Sequence, residues 1–440
     1  MRTRPSARPT SRWSWRDDGR ETGDERRETK KPKLLPRQPL RLASPVPRLP
    51  VKAMEREHAI KLVQQLLMLM KQRNGSDLFI SAGFPPAIKL DGALTPVMDE
   101  PLRAEDSAAL MRAIMNDRQL KEFEATNECN FAIAPPAIGR FRVNAFVQQG
   151  RVGGVLRTIN TTIPTFDDLQ LPEQLKDIVM AKRGLVLMVG ATGSGKSTSL
   201  AAMLGYRNAN SKGHIITIED PVEYVHPHDG CMITQREVGV DTQSWEMALK
   251  NTLRQAPDVI LIGEIRTRET MEYAINFAET GHLVLSTLHA NSANQALDRI
   301  INFFPEEKRE QLLMDLSLNL RSIISQRLVR KAGGGRAAAM EILINSPLIS
   351  DLIFKGEVHA IKEVMARSNE QGMVTFDQFL YRLFEDGVIG IEEALRNADS
   401  QNELRLRVKL ESKRARQNLQ EDEGVLSLQM KTESGQKLRP

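Results

Sequence analysis

The chain has 440 residues, enough for two or three domains with a substantial hydrophobic core. Its net charge of +5 is unevenly distributed: residues 1–53 hold 15 Lys/Arg against 6 Asp/Glu, and the remainder holds 46 against 50. The slightly acidic body, with 5% aromatic residues, argues against a nucleic-acid-binding protein. No apolar run reaches the roughly 18 residues of a membrane span. Two distant cysteines, Cys129 and Cys231, cannot form a zinc ribbon or a disulfide framework and are typical of a reducing, cytoplasmic compartment.

The first 53 residues differ in composition from the rest of the chain. They contain eight prolines and many arginines but little apolar periodicity. Such a segment cannot bury enough apolar surface to offset the entropy lost on ordering. Two interpretations remain open, a disordered basic arm and translated sequence upstream of a true start at Met54. The amphipathic run directly after Met54 favours the second, and the acidic residues of the segment argue against a transit peptide.

Residues 54–160 show the pattern of a small α+β domain. Apolar residues recur at helical spacing over residues 55–73, and a second helix is predicted over residues 104–125. The Asp91-Gly92 pair is typical of a hairpin turn between two short strands. Further strand-like runs complete the module at residues 129–134, 140–148 and 152–159.

After a linker and a helix at residues 161–180, strands and helices alternate as in an α/β domain, predicted for residues 181–345. In doubly wound sheets, ligands bind at the carboxyl ends of the strands. Residues 346–400 are predicted to be helical, and the charged residues 401–440 to begin as a helical extension and to end in disorder. The predicted buried strands of the α/β domain are residues 185–189, 214–219, 259–262 and 283–287.

A glycine-rich loop follows the first of these strands and precedes a predicted helix. It fits the pattern G-x-x-x-x-G-K-[ST], in which main-chain N–H groups and the helix N-terminus bind phosphate. We expect Lys196 to reach the β- and γ-phosphates of a nucleotide and the Ser197 hydroxyl to ligate Mg²⁺. The sequence therefore predicts a nucleotide site. Its residues are Gly190, Ala191, Thr192, Gly193, Ser194, Gly195, Lys196, Ser197 and Thr198.

Two acidic segments follow predicted strands of the α/β domain. Glu264 follows an apolar run, at the position where P-loop enzymes hold Mg²⁺ and polarise the attacking water. Glu219, Asp220 and Glu223 stand at the end of the strand at residues 214–219 and would project into the same cleft. A carboxylate there is suited to act as the general base. The alternative is a solvated acidic loop without a catalytic role.

Histidines flank the predicted strand at residues 283–287. His282 and His289 lack the further ligands of a metal site, so sensing of the γ-phosphate at a strand end is the better interpretation. A core histidine bonded to the main chain remains the alternative. His226 and His228 are interpreted as surface-loop histidines.

Three arginines lie on strand-like runs of the first module. Strand alternation places Arg140 and Arg142 on one face, and Arg157 lies on the following run. One or more of them would reach a nucleotide held by the α/β domain, as an arginine finger does. Solvated strand faces are the alternative.

Together these motifs resemble those of the secretion-ATPase superfamily. The phosphate loop and residues 218–226, 258–264 and 281–291 match its Walker A, Asp box, Walker B and His box in the family's order. The resemblance is strongest to the PilT/PilU retraction ATPases of type IV pili and covers residues 54–400. Residues 290–305 and the long C-terminal extension look more like the PilU branch.

This resemblance implies a fold and a set of cofactors. The fold would be α/β, with a RecA-like P-loop ATPase domain, a smaller PAS-like N-terminal domain and a helical C-terminal region. ATP and Mg²⁺ would be the cofactors, with Glu264 near Mg²⁺ and Glu223 as the acid that activates water. His282 and His289 would sense the nucleotide state.

The resemblance also implies partners and a location. It implies a homohexameric ring that powers or assists pilus retraction and twitching motility. The ring would lie at the cytoplasmic face of the inner membrane, associated peripherally with the pilus platform protein. A paralogous retraction ATPase would be a further partner, and nucleic acid would not be one.

One segment departs from the family's pattern. The principal retraction motor carries a C-terminal Ala-Ile-Arg-Asn-Leu-Ile-Arg-Glu segment, and the matching stretch here is Ala-Ile-Lys-Glu-Val-Met-Ala-Arg at residues 360–367. The apolar spacing partly survives, but the charge pattern does not. The departure favours an accessory motor that works with a paralogue.

Three alternatives stay open at this point. A pilus-extension or secretion ATPase would carry a tetracysteine zinc site, which two distant cysteines cannot build. A DNA-translocating ring ATPase is disfavoured by the net negative body. A ring subunit that binds nucleotide without turnover is disfavoured by the intact Lys196, Ser197, Glu223 and Glu264.

Overall fold

The computed structural model describes residues 54–90, 92–159 and 162–414. The predicted leader, residues 1–53, the turn residue Asp91 and the tail beyond residue 414 lie outside the described residues. The helices are α1 (Arg56–Gln72), α2 (Ala104–Ala113), α3 (Asp117–Thr126), α4 (Phe166–Leu169), α5 (Gln174–Val179), α6 (Lys196–Asn210), α7 (Trp245–Thr252), α8 (Arg268–Glu279), α9 (Ala293–Asn302), α10 (Arg309–Asn319), α11 (Pro347–Phe354), α12 (Ile361–Arg367), α13 (Phe376–Glu385), α14 (Ile391–Asn397) and α15 (Gln401–Glu411). The strands are β1 (Asp77–Ile80), β2 (Ala87–Leu90), β3 (Ala93–Pro96), β4 (Glu128–Ile133), β5 (Arg140–Gln148), β6 (Arg151–Ile159), β7 (Gly184–Val189), β8 (His214–Glu219), β9 (Met232–Glu237), β10 (Val259–Ile262), β11 (Leu283–Leu288), β12 (Leu320–Arg330) and β13 (Arg336–Ile344).

The first sheet belongs to the N-terminal part of the chain. Its described strands run in the order β3-β2-β1-β6-β5-β4, and every neighbouring pair is antiparallel. Helix α1 presents Leu67 and Met70, both fully buried, to Leu78 and Phe141 of the sheet. Helix α2 packs on β6, where Gly154 leaves room for Met111. The pattern is the predicted α+β arrangement, in which one sheet face carries helices.

The second sheet has the order β13-β12-β7-β11-β10-β8-β9 over the described residues. Strands β7 to β12 pair in parallel, and β13 is antiparallel to β12. Every residue of β7, β10 and β11 is buried, because helices cover both faces of a parallel sheet. The carboxyl ends of β7, β8, β10 and β11 therefore meet at one edge, where ligands bind in such sheets.

Apolar side chains of the C-terminal helices form a separate cluster with the end of the sheet. Leu380 and Phe384 of α13 and Leu404 of α15 pack against Val329 and Ala337 of the β12–β13 hairpin. The outer helices are thus tied to β12, the strand next to β7.

Most elements lie where the sequence predicts them. Strand β9 and helix α7 were not predicted as elements, because β9 reads Met-Ile-Thr-Gln-Arg-Glu and carries little apolar character. Helix α15 agrees with the predicted helical extension, and its Leu404 and Val408 are buried. Within the described residues, no helix is both long and apolar enough to cross a bilayer.

Candidate functional site

The phosphate loop connects β7 to α6, which begins at Lys196. Gly193 and Gly195 have φ values of 78° and 87°, in the left-handed region that L side chains rarely adopt. The loop can therefore turn its main chain through a tight bend only with glycine at these positions. The geometry agrees with a strand–loop–helix phosphate cradle, as the sequence predicts.

The Lys196 ammonium is held by the loop itself. Its Nζ donates to the carbonyl oxygens of Gly190 at 2.8 Å and Ala191 at 3.0 Å. Burial lowers the pKa of Lys196, and the negative charges of Glu264 and Glu223 oppose that effect. Both predicted catalytic acids thus lie close enough to act on the lysine.

Glu264 follows β10 and is held from two sides. Its Oε1 accepts from His289 Nε2 at 2.9 Å, and its Oε2 lies 2.7 Å from Arg266 Nη2. His289 follows β11, and β10 and β11 are parallel neighbours, so their ends bring the two side chains together. The Walker B acid and the second histidine of the His box therefore form one unit.

The acidic segment after β8 contains two carboxylates in different surroundings. Glu219 accepts from the Thr217 hydroxyl at 2.6 Å and the Gln235 amide at 3.3 Å. Its position deep in the cleft raises its pKa to about 7, although part of its surface remains exposed. Glu223 is exposed. The residues lining this cleft include Ser197, Glu219, Glu223, Tyr224, His226, Gly263 and Thr287.

The loop that carries Glu223 is anchored at Tyr224. The Tyr224 hydroxyl lies 3.0 Å from Thr198 Oγ1 on the phosphate loop, and the Gln235 amide donates to the Tyr224 carbonyl at 2.9 Å. His226 was predicted to be a surface-loop histidine, but it is 9% exposed and lines the cleft. Burial lowers the pKa of His226 to about 4, which keeps the ring neutral. The prediction was wrong because the loop folds back over β9. His228 is exposed, as predicted.

His282 lies at the other end of β11 from His289. Its carbonyl accepts from the N–H of Gly184 at the start of β7, and its Nδ1 lies 3.1 Å from the Phe277 carbonyl. The start of β7 is the end remote from the phosphate loop. The structure does not bring His282 to the nucleotide site of the same chain, so the predicted sensor role stays a prediction.

The three N-terminal arginines have different surroundings. Arg142 Nη2 lies 3.9 Å from Asp220 Oδ1 of the Asp box. Burial raises the pKa of Glu237 on β9, and the positive charges of Arg142 and Arg140 oppose that effect, so both arginines face the second sheet. Arg157 instead donates to Asp77 within the first sheet at 2.7 Å. The structure therefore brings Arg142 to the Asp box, whereas Arg140 acts on the charge of Glu237 and Arg157 stays within the first sheet.

Sequence reasoning missed three residues of the site, Arg266, Tyr224 and Gln326. Arg266 stands two positions after Glu264, and Tyr224 directly after Glu223, so proximity to the motifs was a usable signal. Gln326 lies on β12, 128 residues from Thr198. Its neighbours Ser325 and Arg327 are polar as well, so the strand pattern gave no signal that singled it out.

The donor set fits a magnesium ion. Mg²⁺ prefers oxygen ligands and keeps several waters, so one hydroxyl and one carboxylate suffice. Ser197 lines the cleft. The negative charge of Glu264 is near enough to Lys196 to oppose the lowering of the lysine's pKa by burial. Among the described residues, no group of three or more His, Cys, Asp or Glu surrounds a candidate metal position.

Comparison with known proteins matches residues 53–425 to the family model described as "Type II/IV secretion system protein". The chain belongs to this family. It is 60% identical to the type IV pilus ATPase PilU of Pseudomonas aeruginosa, an alignment that covers 79% of this chain and 92% of the relative. It is 44% identical to the PilT retraction ATPase of the same organism, with 76% and 98% covered. These identities place it among the PilT/PilU ATPases, with higher identity to PilU.

A crystal structure of the pilus retraction motor PilT with bound ADP is also similar. It is 39% identical in sequence, with a TM-score of 0.71, and the match covers 77% of this chain and 98% of that one. The predicted α/β fold with a RecA-like ATPase domain is confirmed by this similarity. The chain is an ATP-hydrolysing member of the family, since both named relatives are ATPases.

Proposed function

We propose that this chain is an Mg²⁺-dependent ATPase motor that powers or assists type IV pilus retraction and twitching motility. The observation that carries the proposal is one cleft lined by Ser197 of the phosphate loop and by Glu223, whose loop contacts the phosphate loop through the Tyr224 hydroxyl, 3.0 Å from Thr198 Oγ1. The similarity to PilU and PilT supports type IV pilus retraction as the biological process.

The residues have separate roles in this proposal. Lys196 moves from the carbonyls of Gly190 and Ala191 to the β- and γ-phosphates of ATP. Glu223 accepts the proton of the attacking water. Ser197 and Glu264 would hold Mg²⁺, which would neutralise charge on the phosphates when bound. The side chains of Glu264 and His289 are in contact, so a change at the γ-phosphate reaches the end of β11.

The assembly and the location that we propose for this chain are those expected for its family. We propose a homohexameric ring at the cytoplasmic face of the inner membrane, attached peripherally through the pilus platform protein. PilT and PilU occur together in one organism, and the altered segment at residues 360–367 favours work alongside a PilT-like paralogue. Nucleic acid has no role in the proposal, because the body of the chain has net negative charge.

Replacing the P-loop lysine tests the enzymatic proposal. In Lys196→Ala we expect phosphate release from ATP to fall to background, since Lys196 is the only cation within the phosphate loop, residues 190–198. Melting temperature and oligomer mass should stay unchanged. The control is Lys212→Ala, at an exposed lysine beyond the end of α6.

Two outcomes would contradict the proposal. Wild-type protein that is folded and oligomeric but releases no phosphate would exclude the enzyme. A strain that lacks the gene and still twitches normally, with or without its PilT-like paralogue, would exclude the role in motility.

A further inference from the structure

Gln326 lies on β12 beside the point where β7 passes into the phosphate loop. The two strands are parallel neighbours, and Ser325 pairs with Val189, the last residue of β7. The next residue on β12 therefore stands beside the first residues of the loop. The Gln326 side chain is only 2% exposed. Such a buried polar group needs hydrogen-bond partners, and it finds them in the loop.

The amide of Gln326 joins the two sides of the bend that carries Lys196. Its Nε2 donates to the carbonyl oxygen of Ser194 at 2.8 Å. Its Oε1 accepts from the hydroxyl of Ser199 at 2.8 Å. Ser194 lies in the loop before Lys196, and Ser199 lies in the first turn of α6 after it. One side chain thus fixes the distance between loop and helix.

Glycines of the loop are fitted to the same residue. A methyl group at Gly190 would lie 2.6 Å from the main-chain oxygen of Gln326, and one at Gly195 would lie 2.8 Å from Gln326 Nε2. Both separations are far below van der Waals contact. The first and last glycines of the motif are therefore required by contact with Gln326 as well as by their φ values of 155° and 87°.

We propose that Gln326 is a positioning residue for the nucleotide, which acts through Ser194 and Ser199 to hold the phosphate loop in its binding shape. A P-loop binds phosphate mainly with main-chain N–H groups, so its affinity depends on backbone shape. When Lys196 leaves the carbonyls of Gly190 and Ala191 to meet phosphate, the loop loses two internal hydrogen bonds. The bridge from Gln326 stays in place during that change. The inference rests on the proposed function as an ATPase.

The test is Gln326→Leu in the full chain, which keeps the side-chain size and removes both hydrogen bonds. We expect KM for ATP and Kd for a fluorescent ADP analogue to rise about tenfold, as the loss of two buried hydrogen bonds predicts. We expect kcat to change far less, since Glu223 and Glu264 are untouched. A purely structural role would lower the melting temperature and the active fraction while leaving the Kd of the folded protein unchanged.

Two further variants sharpen the measurement. Ser199→Ala removes only the hydroxyl that donates to Gln326, and a smaller rise in Kd is expected. In the double variant that combines Gln326→Leu with Ser199→Ala, the Kd for ADP should rise no further than in Gln326→Leu alone. Both substitutions break the same hydrogen-bonded bridge between the phosphate loop and α6. Gln311→Leu, at an exposed glutamine on α10, is the control for the substitution itself and should leave Kd unchanged.

Different results would overturn the positioning role of Gln326 and the proposed function as an ATPase. Wild-type affinity for ADP in Gln326→Leu, or in Ser199→Ala if the first variant does not fold, would overturn the role of Gln326. Wild-type protein that binds ADP but releases no phosphate from ATP would overturn the proposed function and leave the binding test valid. Wild-type protein without affinity for ADP would overturn both.

Discussion

At the scale of single residues, Glu219 and Glu223 lie in one short segment at the end of β8, but their different surroundings suit them to different roles. Glu219 accepts hydrogen bonds from Thr217 and Gln235 and lies deep in the cleft, whereas Glu223 is exposed. An exposed carboxylate next to Lys196 suits a water-activating acid. Glu219 instead accepts from the Gln235 amide, which also donates to the Tyr224 carbonyl of the same loop.

The raised pKa of Glu219 gives a pH-dependent stability. Its pKa is about 7 in the folded protein and 4.5 when unfolded, so the folded state holds the extra proton. The contribution of Glu219 to stability is therefore fully present below pH 4.5 and is lost as the pH rises from 4.5 through 7. We expect Glu219→Gln, which is neutral at all pH values, to melt at the wild-type temperature at pH 5 and on the order of 4 °C higher at pH 8.

Thermal unfolding of both proteins across this pH range checks the expectation. The control is Glu279→Gln, at an exposed glutamate at the end of α8, for which no pH-dependent difference is expected. A difference between Glu219→Gln and wild type that stays constant from pH 5 to pH 8 would show that the Glu219 carboxyl is not protonated by burial.

At the scale of elements, β12 connects the nucleotide site to the C-terminal helices. Gln326 faces the phosphate loop, and the next residue, Arg327, pairs with Asp399 at 2.7 Å and donates to the Asn291 carbonyl at 3.2 Å. Asp399 also pairs with Lys362 of α12 at 2.6 Å. The segment that departs from the family's pattern is thus anchored to the strand beside the P-loop.

Asp399 is the centre of this contact between elements. Burial alone would raise its pKa, but the hydrogen bond from Lys362 and the charge of Arg327 bring the pKa below its ordinary value. We expect Asp399→Asn to lower the free energy of local opening of α12 and α15 by about 2 kcal/mol, since two cations lose a buried partner. Amide hydrogen exchange in these helices measures the change.

The matched control is Asp386→Asn, at an exposed aspartate at the end of α13. Its exchange rates should equal those of wild type. Unchanged exchange of α12 and α15 in Asp399→Asn would mean that the apolar cluster of α13 and α15 holds these helices without the ion pairs.

At the scale of the whole molecule, the two sheets meet at the Asp box. Arg142 reaches Asp220 from the first sheet at 3.9 Å, and the two side chains are 31% and 42% exposed. Such a pair contributes little to stability, roughly 0 to 1 kcal/mol. Its effect is therefore expected in turnover, because Asp220 lies on the loop that carries Glu223.

Removal of this arginine tests the contact. We expect Arg142→Ala to keep the melting temperature and the affinity for ADP and to lower kcat for ATP about tenfold, which corresponds to a barrier raised by about 1.4 kcal/mol, because Asp220 on the loop of Glu223 loses its charged partner. Steady-state phosphate release measures it. Arg151→Ala, at an exposed arginine at the start of β6, is the control, and equal kcat in the two variants would exclude a role for Arg142.

Sequence alone determined the nucleotide site and much of the fold. The phosphate loop, Glu223, Glu264 and His289 stand at the ends of apolar strands, and a parallel sheet brings such ends to one edge. Local pattern is sufficient there because strand, loop and helix are contiguous in the chain. The same reasoning predicted the α+β module at residues 54–160.

Only the tertiary structure decided which distant residues share the site. Gln326 reaches the phosphate loop because β12 is placed beside β7, and Asp399 reaches Arg327 because α14 and α15 pack on the same hairpin. The burial of His226 and the separation of His282 from the nucleotide end of β11 were decided in the same way. Strand order and helix packing arise from the burial of apolar surface summed over the whole chain, and no short motif encodes that sum.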